Sequence, residues 1–148
     1  MKKVLPIGVD NFEKLELGGY CYVDKTMLVK DLLDLKCEVN LFTRPRRFGK
    51  TLNLSMLRYF EDTGDQEKNA QNRTLFQGLK IMDAGGEYTG QMGKHPVISL
   101  TLKSAKQPAF ESAYVKLKRE LAEEFKRHSF ILESERVDAG DKEMFQKL

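Results

Sequence analysis

The sequence predicts an α/β fold in which parallel strands are flanked by helices, and three observations support this prediction. Two short apolar segments, 39–43 and 96–102, have the length and composition of buried strands. Each is followed along the chain by a segment whose apolar residues recur at helical spacing. The order strand–helix–strand–helix is typical of α/β proteins, because a helical crossover places the two strands parallel in one sheet.

The helices are predicted from the spacing of apolar residues. A first helix follows Asp24, which is placed to cap its start. A second helix begins near Thr51 and ends at about Glu61, and a third, longer one begins near Phe110. The three apolar stripes consist of Leu28, Val29, Leu32 and Leu33; of Leu52, Met56, Leu57 and Phe60; and of Phe110, Tyr114, Leu117, Leu121 and Phe125. Residues 62–73 are polar throughout, which predicts a mobile connection.

Size and composition indicate one soluble domain spanning residues 1–148. A chain of 148 residues buries ~68–70% of its unfolded surface, enough for a single core. Hydrophobic residues at 41% and charged residues at 32% are ordinary values, and a net charge of +3 does not by itself indicate nucleic-acid binding. No apolar run approaches the ~18 residues of a membrane span, and the amino terminus lacks the apolar core of a signal peptide. We therefore expect a cytoplasmic protein with no membrane partner.

The cysteines and histidines do not predict a metal site. Cys21 and Cys37 lack the spacing of metal-binding or redox pairs, so we expect two reduced, buried thiols. His95 and His128 lie far apart in the sequence, and we expect each to be structural or solvated.

A phosphate-binding motif lies between the first predicted strand and the second helix. Gly49, Lys50 and Thr51 match the second half of the pattern G-x-x-x-x-G-K-[ST]. The first glycine of the pattern falls at position 44, where this chain has Arg44. A strand before the loop and a helix after it are the context that the motif requires. The sequence therefore predicts a partial P-loop NTPase core, and a basic turn that carries Gly-Lys-Thr by coincidence is the alternative.

These residue types suit a nucleotide. Gly49 has no Cβ and lets the backbone pass close to an anion. The amides from Phe48 to Leu52 would open the helix and face a phosphate. Lys50 would be the catalytic residue, with its charge on the β- and γ-phosphates, and the Thr51 hydroxyl would be a ligand of Mg²⁺. A nucleotide and Mg²⁺ are thus the expected cofactors, and these residues leave the choice between ATP and GTP open.

Arginines surround this loop. The region from Val39 to Phe60 contains no acidic residue, and its basic residues are Arg44, Arg46, Arg47, Lys50 and Arg58. Such a cluster is typical of a polyanion site or of a solvated surface. Pro45 favours an extended conformation at Arg44, so the turn should lie at 46–49. One of Arg46 and Arg47 would then hold a phosphate with its guanidinium fork, and solvation of all three loop arginines is the alternative.

Several segments together resemble one bacterial family, the AAA-ATPase-like proteins, whose longer members carry a PD-(D/E)XK nuclease-like domain at the carboxyl end. The segments are Pro6–Leu15, Tyr22–Thr26, Thr43–Thr51, Leu75–Ile81 and Pro96–Leu100, in that order. The family uses the same R-P-R-R-F-G-K-T loop, so Arg44 is a feature of the group. The resemblance implies a P-loop ATPase fold. It also makes Asp24 and Lys25 weak candidates for contacts near the adenine, with a helix-capping Asp24 and a solvated Lys25 as the alternative.

The acidic residue that ATP hydrolysis requires is not evident. It should follow a second core strand and hold Mg²⁺, but the segment 96–102 continues into Lys103. We therefore expect a segment cut before the acidic strand, which binds ATP and is inactive alone. Two alternatives stay open: a pseudo-ATPase, and a basic module that contacts nucleic-acid phosphates or a protein partner. An exposed sheet edge would also permit self-association.

Overall fold

The structure is a computed structural model, and it describes residues 4–43, 45, 47–63, 66–103 and 105–147. The chain forms two compact units, Met1–Val97 and Ile98–Leu148, where the sequence predicts one domain. The helices of the first unit are α1 (Phe12–Leu17), α2 (Met27–Leu35), α3 (Lys50–Glu61), α4 (Gln66–Thr74), a 3₁₀ helix (Lys80–Asp83) and α5 (Gly86–Thr89). Those of the second unit are α6 (Phe110–Arg127), a 3₁₀ helix (Ser129–Glu133) and α7 (Ala139–Gln146).

Three phenylalanines form the centre of the first unit. Phe12 of α1 and Phe60 of α3 both pack on Phe76, with ring centroids 4.9 Å and 5.4 Å from it, and all three side chains are fully buried. The other buried apolar residues of the unit are Leu15, Val29, Met56, Leu75 and Ile81. Helices α1, α2 and α3 each turn apolar residues toward this cluster, as expected for amphipathic helices that bury one face.

A polar link joins the start of α2 to the first 3₁₀ helix. The Asp24 carboxylate accepts hydrogen bonds from the backbone N–H and the hydroxyl of Thr26, at 2.8 Å and 2.7 Å, and from the N–H of Lys80 at 2.8 Å. The Thr26 hydroxyl is buried and accepts from the N–H of Ile81 at 3.2 Å. The N-cap of α2 is Thr26, so the prediction that Asp24 caps this helix is wrong by two residues.

Glu124 organises the second unit. Its carboxylate accepts from the backbone N–H of Ser99 at 2.7 Å and from the guanidinium of Arg127 at 2.6 Å and 3.1 Å, and it lies beside the buried His128. Burial works against the charged carboxylate, but the bonds from Arg127 and Ser99 outweigh it and lower the pKa of Glu124 to about 2. The segment before α6 is thus tied to the last turn of that helix.

Replacing Glu124 by Gln is expected to lower the free energy of unfolding at pH 7 by about 1–2 kcal/mol, because an amide loses the charge-assisted bonds. A carboxylate with a lowered folded-state pKa stabilises the fold above its unfolded pKa, and that contribution is lost as the pH falls through the folded value. The difference between wild type and Glu124→Gln should therefore shrink below pH 4.5 and vanish near pH 2. Denaturant titrations between pH 7 and pH 2 measure it, and a pH-independent difference would contradict the assignment.

The predicted α/β core with parallel strands is wrong. Within the residues that the structure describes, backbone pairing between extended segments amounts to one parallel bridge, Asp62 with His95, and no sheet forms. A strand needs a hydrogen-bonded neighbour and a buried face. The segment 39–43 has neither, since Val39 and Leu41 are each 84% exposed, and Ile98 in the segment 96–102 is 72% exposed. The sheet edge on which the predicted self-association depends is likewise not formed in this part of the chain.

The predictions of local structure are confirmed in part. The structure confirms the three predicted helices as α2, α3 and α6. The polar stretch 62–73 contains most of α4, because its Gln, Glu, Lys, Ala and Arg residues are good helix formers and Glu67 accepts a hydrogen bond from Gln71 one turn later. Cys21 and Cys37 are exposed, which corrects the prediction of buried thiols.

Candidate functional site

Helix α3 is held in place by α1. The N–H of Phe12 donates to Ser55 Oγ at 3.0 Å, and the hydroxyl of Tyr59 donates to Glu13 Oε2 at 2.9 Å. Met56 and Phe60, on the same side of α3, are fully buried. These contacts fix one face of α3, and so they fix the position of its first turn, which carries the Gly-Lys-Thr motif.

A tight turn precedes that helix. Arg47 and Gly49 both have left-handed backbone angles, with φ of 68° and 74°. Gly49 is the N-cap of α3, and its carbonyl accepts from the N–H of Asn53 at 2.9 Å. A Cβ added to Gly49 would meet nothing within 4 Å, so glycine suits this position by its backbone angle and not by lack of space. The turn lies within the predicted range 46–49.

The strained angle at Arg47 is informative. A non-glycine residue in the left-handed region costs about 1–2 kcal/mol, and such strain tends to persist at functional sites. Arg47 is exposed beside the helix start, so its guanidinium is available to an anion there. Arg44 and Arg46, the other two arginines of the predicted loop, lie outside the described residues.

The start of α3 has the properties of an anion site. The first amides of any helix lack partners within the helix, and the helix dipole adds partial positive charge. Phe48, Lys50 and Thr51 are exposed here, while Leu52 is half-buried against the core of the unit. The described part of the predicted loop thus presents backbone donors, one lysine and one hydroxyl at the surface.

A pocket of about 250 Å³ adjoins this turn. It is lined by Leu28, Asn40, Phe42, Lys50, Asn53, Leu54 and Leu57. Lys50 therefore belongs both to the helix start and to the pocket wall. One face of α3, adjacent to its buried face, supplies most of the lining, and α2 and the segment before the turn complete it.

Other predicted residues are not brought to the turn. Arg58 pairs with Asp62 at 3.9 Å in the last turn of α3, about 12 Å along the helix from Lys50. Asp24 bonds with Thr26 and Lys80 as described above, and the exposed Lys25 donates its N–H to the hydroxyl of Tyr22 at 3.3 Å. For Asp24 and Arg58 the structural interpretation is therefore the one that the geometry favours.

Histidine and acidic side chains do not assemble around a metal in the described ranges. No group of three or more His, Cys, Asp or Glu residues there could hold an ion. His95 lies 3.8 Å from Glu61, and His128 is buried beside Glu124 and Arg127. Both histidines have neighbours that explain them structurally.

The sequence prediction includes Lys50 but not the pocket residues Asn40, Phe42 and Asn53. Asn53 lies three positions after Lys50 and so shares a face of the helix with it, which was a usable signal. Asn40 and Phe42 alternate along the segment before the turn, and their sequence pattern indicates only a strand. Their convergence with α3 depends on the fold, so spacing alone could not reveal it.

Comparison with known proteins relates this chain to a family and to a bacterial relative. The model of a family described as AAA-ATPase-like, predicted AAA-ATPase, matches residues 6–148. A protein of Azotobacter chroococcum mcd 1, described as an uncharacterized protein in the vnfD 5' region, is 37% identical over 101 residues, which are 68% of this chain and 17% of that protein. The chain thus spans less than a fifth of the length of this relative. No solved structure matches the chain significantly. None of the described helices is both long enough and apolar enough to span a membrane.

Proposed function

The chain belongs to the AAA-ATPase-like family, and on this premise we propose that it binds ATP through the turn and helix start at Arg47–Leu52. The observation that carries the proposal is the left-handed Gly49 directly before Lys50, the first residue of α3. A glycine turn that opens a helix next to a lysine presents backbone donors and a full positive charge to one phosphate group.

Each residue of this site would make a different contact with the nucleotide. The amides of Phe48 to Leu52 would bind the oxygens of one phosphate, and the Lys50 ammonium would approach the β- and γ-phosphates. Arg47 would add a planar guanidinium that can bind two oxygens at once. Arg46 would be the second candidate for that role, and Arg44 would be a weaker one. The left-handed backbone angle of Arg47 supports a ligand-binding role, because backbone strain of this kind is concentrated at functional sites.

The donor set around Thr51 fits Mg²⁺ only as part of a nucleotide complex. Mg²⁺ keeps several waters and is often bound through few protein oxygens together with substrate phosphates. Thr51 is exposed at the second position of α3 and offers one hydroxyl, while the described residues hold no acidic cluster for a metal. Bound Mg²⁺ would neutralise phosphate charge, and Thr51 would be its ligand from this chain.

Hydrolysis belongs to the proposal only for a longer protein. The relative from Azotobacter is several times longer than the matched region, so further residues could supply an acidic group that holds Mg²⁺ and orients water. A nuclease-like domain in such a protein is the accompanying proposal from the sequence resemblance. For this chain we propose nucleotide binding without turnover.

The test is calorimetric titration of the purified chain with Mg·ATP. Lys50→Ala should weaken binding at least tenfold, because a charge-assisted contact to phosphate is worth about 1.5–3 kcal/mol. Its thermal stability should change little, since the side chain is exposed. Lys94→Ala removes another exposed lysine of the same unit and is the matched control, for which we expect unchanged affinity.

Equal affinity of wild type and Lys50→Ala would refute the proposed site. A salt series separates it from the alternative of a nucleic-acid interaction module. Binding of duplex DNA through several phosphates would weaken with a log–log slope of about −0.9 per contact. Tight, steeply salt-dependent DNA binding together with undetectable ATP binding would favour that module instead.

A further inference from the structure

The pocket beside Lys50 has the size and surface of a site for one planar ring. Its volume is about 250 Å³, just below the ~300–1,000 Å³ of sites that enclose drug-sized ligands, so it can take one part of a nucleotide and not the whole. Four of its seven lining residues are apolar: Leu28, Phe42, Leu54 and Leu57. The polar members are Asn40, Lys50 and Asn53.

The pocket shares Lys50 with the proposed phosphate site. Lys50 is a member of both, and Asn53 lies three residues further along α3, about 4.5 Å in rise and just under one helical turn. A ligand with a charged end at the helix start and a flat, apolar end in the pocket would contact both. A nucleoside triphosphate has these two ends.

The amide side chains indicate which base would fit. The side-chain amide of Asn53 makes no hydrogen bond within the described part of the chain, so it can both donate and accept. Asn40 donates its Nδ2 to the carbonyl of Cys37 at 3.4 Å, which leaves its oxygen as an acceptor. An asparagine amide pairs with N6 and N7 of adenine, whereas guanine offers two acceptors at the same edge. Phe42, 37% exposed at the wall, offers a ring on which a base can stack.

We propose that this pocket is the base subsite of the nucleotide site, with Asn53 and Phe42 as the residues that select and hold adenine. The inference rests on the proposed function, since it assigns the second half of the same ligand. It assigns specificity to residues outside the Gly-Lys-Thr motif. ATP should accordingly bind more tightly than GTP, and more tightly than tripolyphosphate, which has the charged end alone.

The experiment compares ATP, GTP and inorganic tripolyphosphate, each with Mg²⁺, by calorimetric titration on the full chain. We expect Phe42→Ala and Asn53→Leu each to weaken ATP about tenfold and to leave tripolyphosphate unchanged, because stacking and edge contacts involve only the base. Asn53→Leu should also bring ATP and GTP to similar affinity. Phe130→Ala, which removes a partly exposed phenylalanine of the second unit, is the control and should change none of the three.

The outcomes separate this inference from the proposed function. Suppose that Lys50→Ala weakens ATP binding, but that the two pocket variants keep the wild-type ratio of ATP affinity to tripolyphosphate affinity. The base then lies elsewhere, and only this inference fails. If ATP does not bind, or Lys50→Ala binds it normally, both fail. If Phe42→Ala lowers the melting temperature, Phe42→Leu is used in its place, because leucine keeps the apolar bulk without the aromatic ring. A wild-type ATP affinity of Phe42→Leu would then contradict stacking of the base on Phe42.

Discussion

Replacing Phe76 by Ala is expected to lower the free energy of unfolding of the first unit by about 3–5 kcal/mol. Phe76 is fully buried between Phe12 and Phe60. Its truncation therefore removes apolar contacts and leaves a cavity that the surrounding structure would have to close. Domains of ordinary stability have only about 5–15 kcal/mol to lose, so the variant should be close to unfolding at physiological temperature.

Urea titration followed by circular dichroism measures this effect. Phe48→Ala is the matched control, because that phenylalanine is 58% exposed and its truncation should change the free energy of unfolding by about 0.5 kcal/mol or less. A loss below ~1 kcal/mol in Phe76→Ala would mean that the three rings do not form the centre of a cooperative core. Because Phe76 lies outside the candidate site, any loss of ATP affinity should follow the fraction of folded protein.

The helices could be predicted because their signal is local. Val29 and Met56 each belong to a run of apolar residues at spacings of three and four, and a helix needs no partner outside its own segment for its backbone hydrogen bonds. The structure accordingly places α2, α3 and α6 where the periodicity predicts them. Of these three helices, only α6 keeps much of its apolar stripe exposed, and the side chain of Phe110 is 76% exposed.

The strands could not be predicted in the same way. An apolar run such as 39–43 becomes a strand only if a neighbour supplies the other half of each hydrogen bond, and nothing in five residues encodes that neighbour. An apolar composition is therefore a necessary condition for a strand and not a sufficient one. The exposed Val39 and Leu41 show what remains when no ladder forms in the described residues.

The candidate site also has one part that local sequence predicts and one part that depends on tertiary structure. The position of the turn follows from Gly49 and from the helical pattern after Thr51, which are both local, and the structure has the turn there. The pocket depends on how the segment with Phe42 meets α3, which is a tertiary property. The role of Asp24 is tertiary as well, since its partner Lys80 lies 56 positions away.

Asp24→Ala is expected to lower the free energy of unfolding at pH 7 by about 3 kcal/mol. The change removes three hydrogen bonds to a carboxylate and leaves the buried Thr26 hydroxyl without its acceptor. A hydrogen bond to a charged group contributes about 1.5–3 kcal/mol, and the contributions of neighbouring bonds are less than additive. Lys25→Ala, at the exposed neighbouring position, is the control and should be nearly neutral. Urea titration measures both, and a neutral Asp24→Ala would contradict the structural role of the link.

The pH dependence of this link distinguishes a structural Asp24 from one that contacts a nucleotide. Burial raises the pKa of Asp24, but the N–H groups of Lys80 and Thr26 and the Thr26 hydroxyl outweigh it and hold that pKa below the ordinary value of 3.8. The stabilisation is therefore complete above the ordinary value and is lost as the pH falls through the lower, folded-state pKa. Asp24→Asn keeps the shape of the side chain and removes its charge, so the difference in unfolding free energy between wild type and this variant should persist at pH 7 and disappear in acid. At a temperature where both are folded, their ATP affinities should agree. An Asp24→Asn protein of wild-type stability with weakened ATP binding would instead place Asp24 in the nucleotide site.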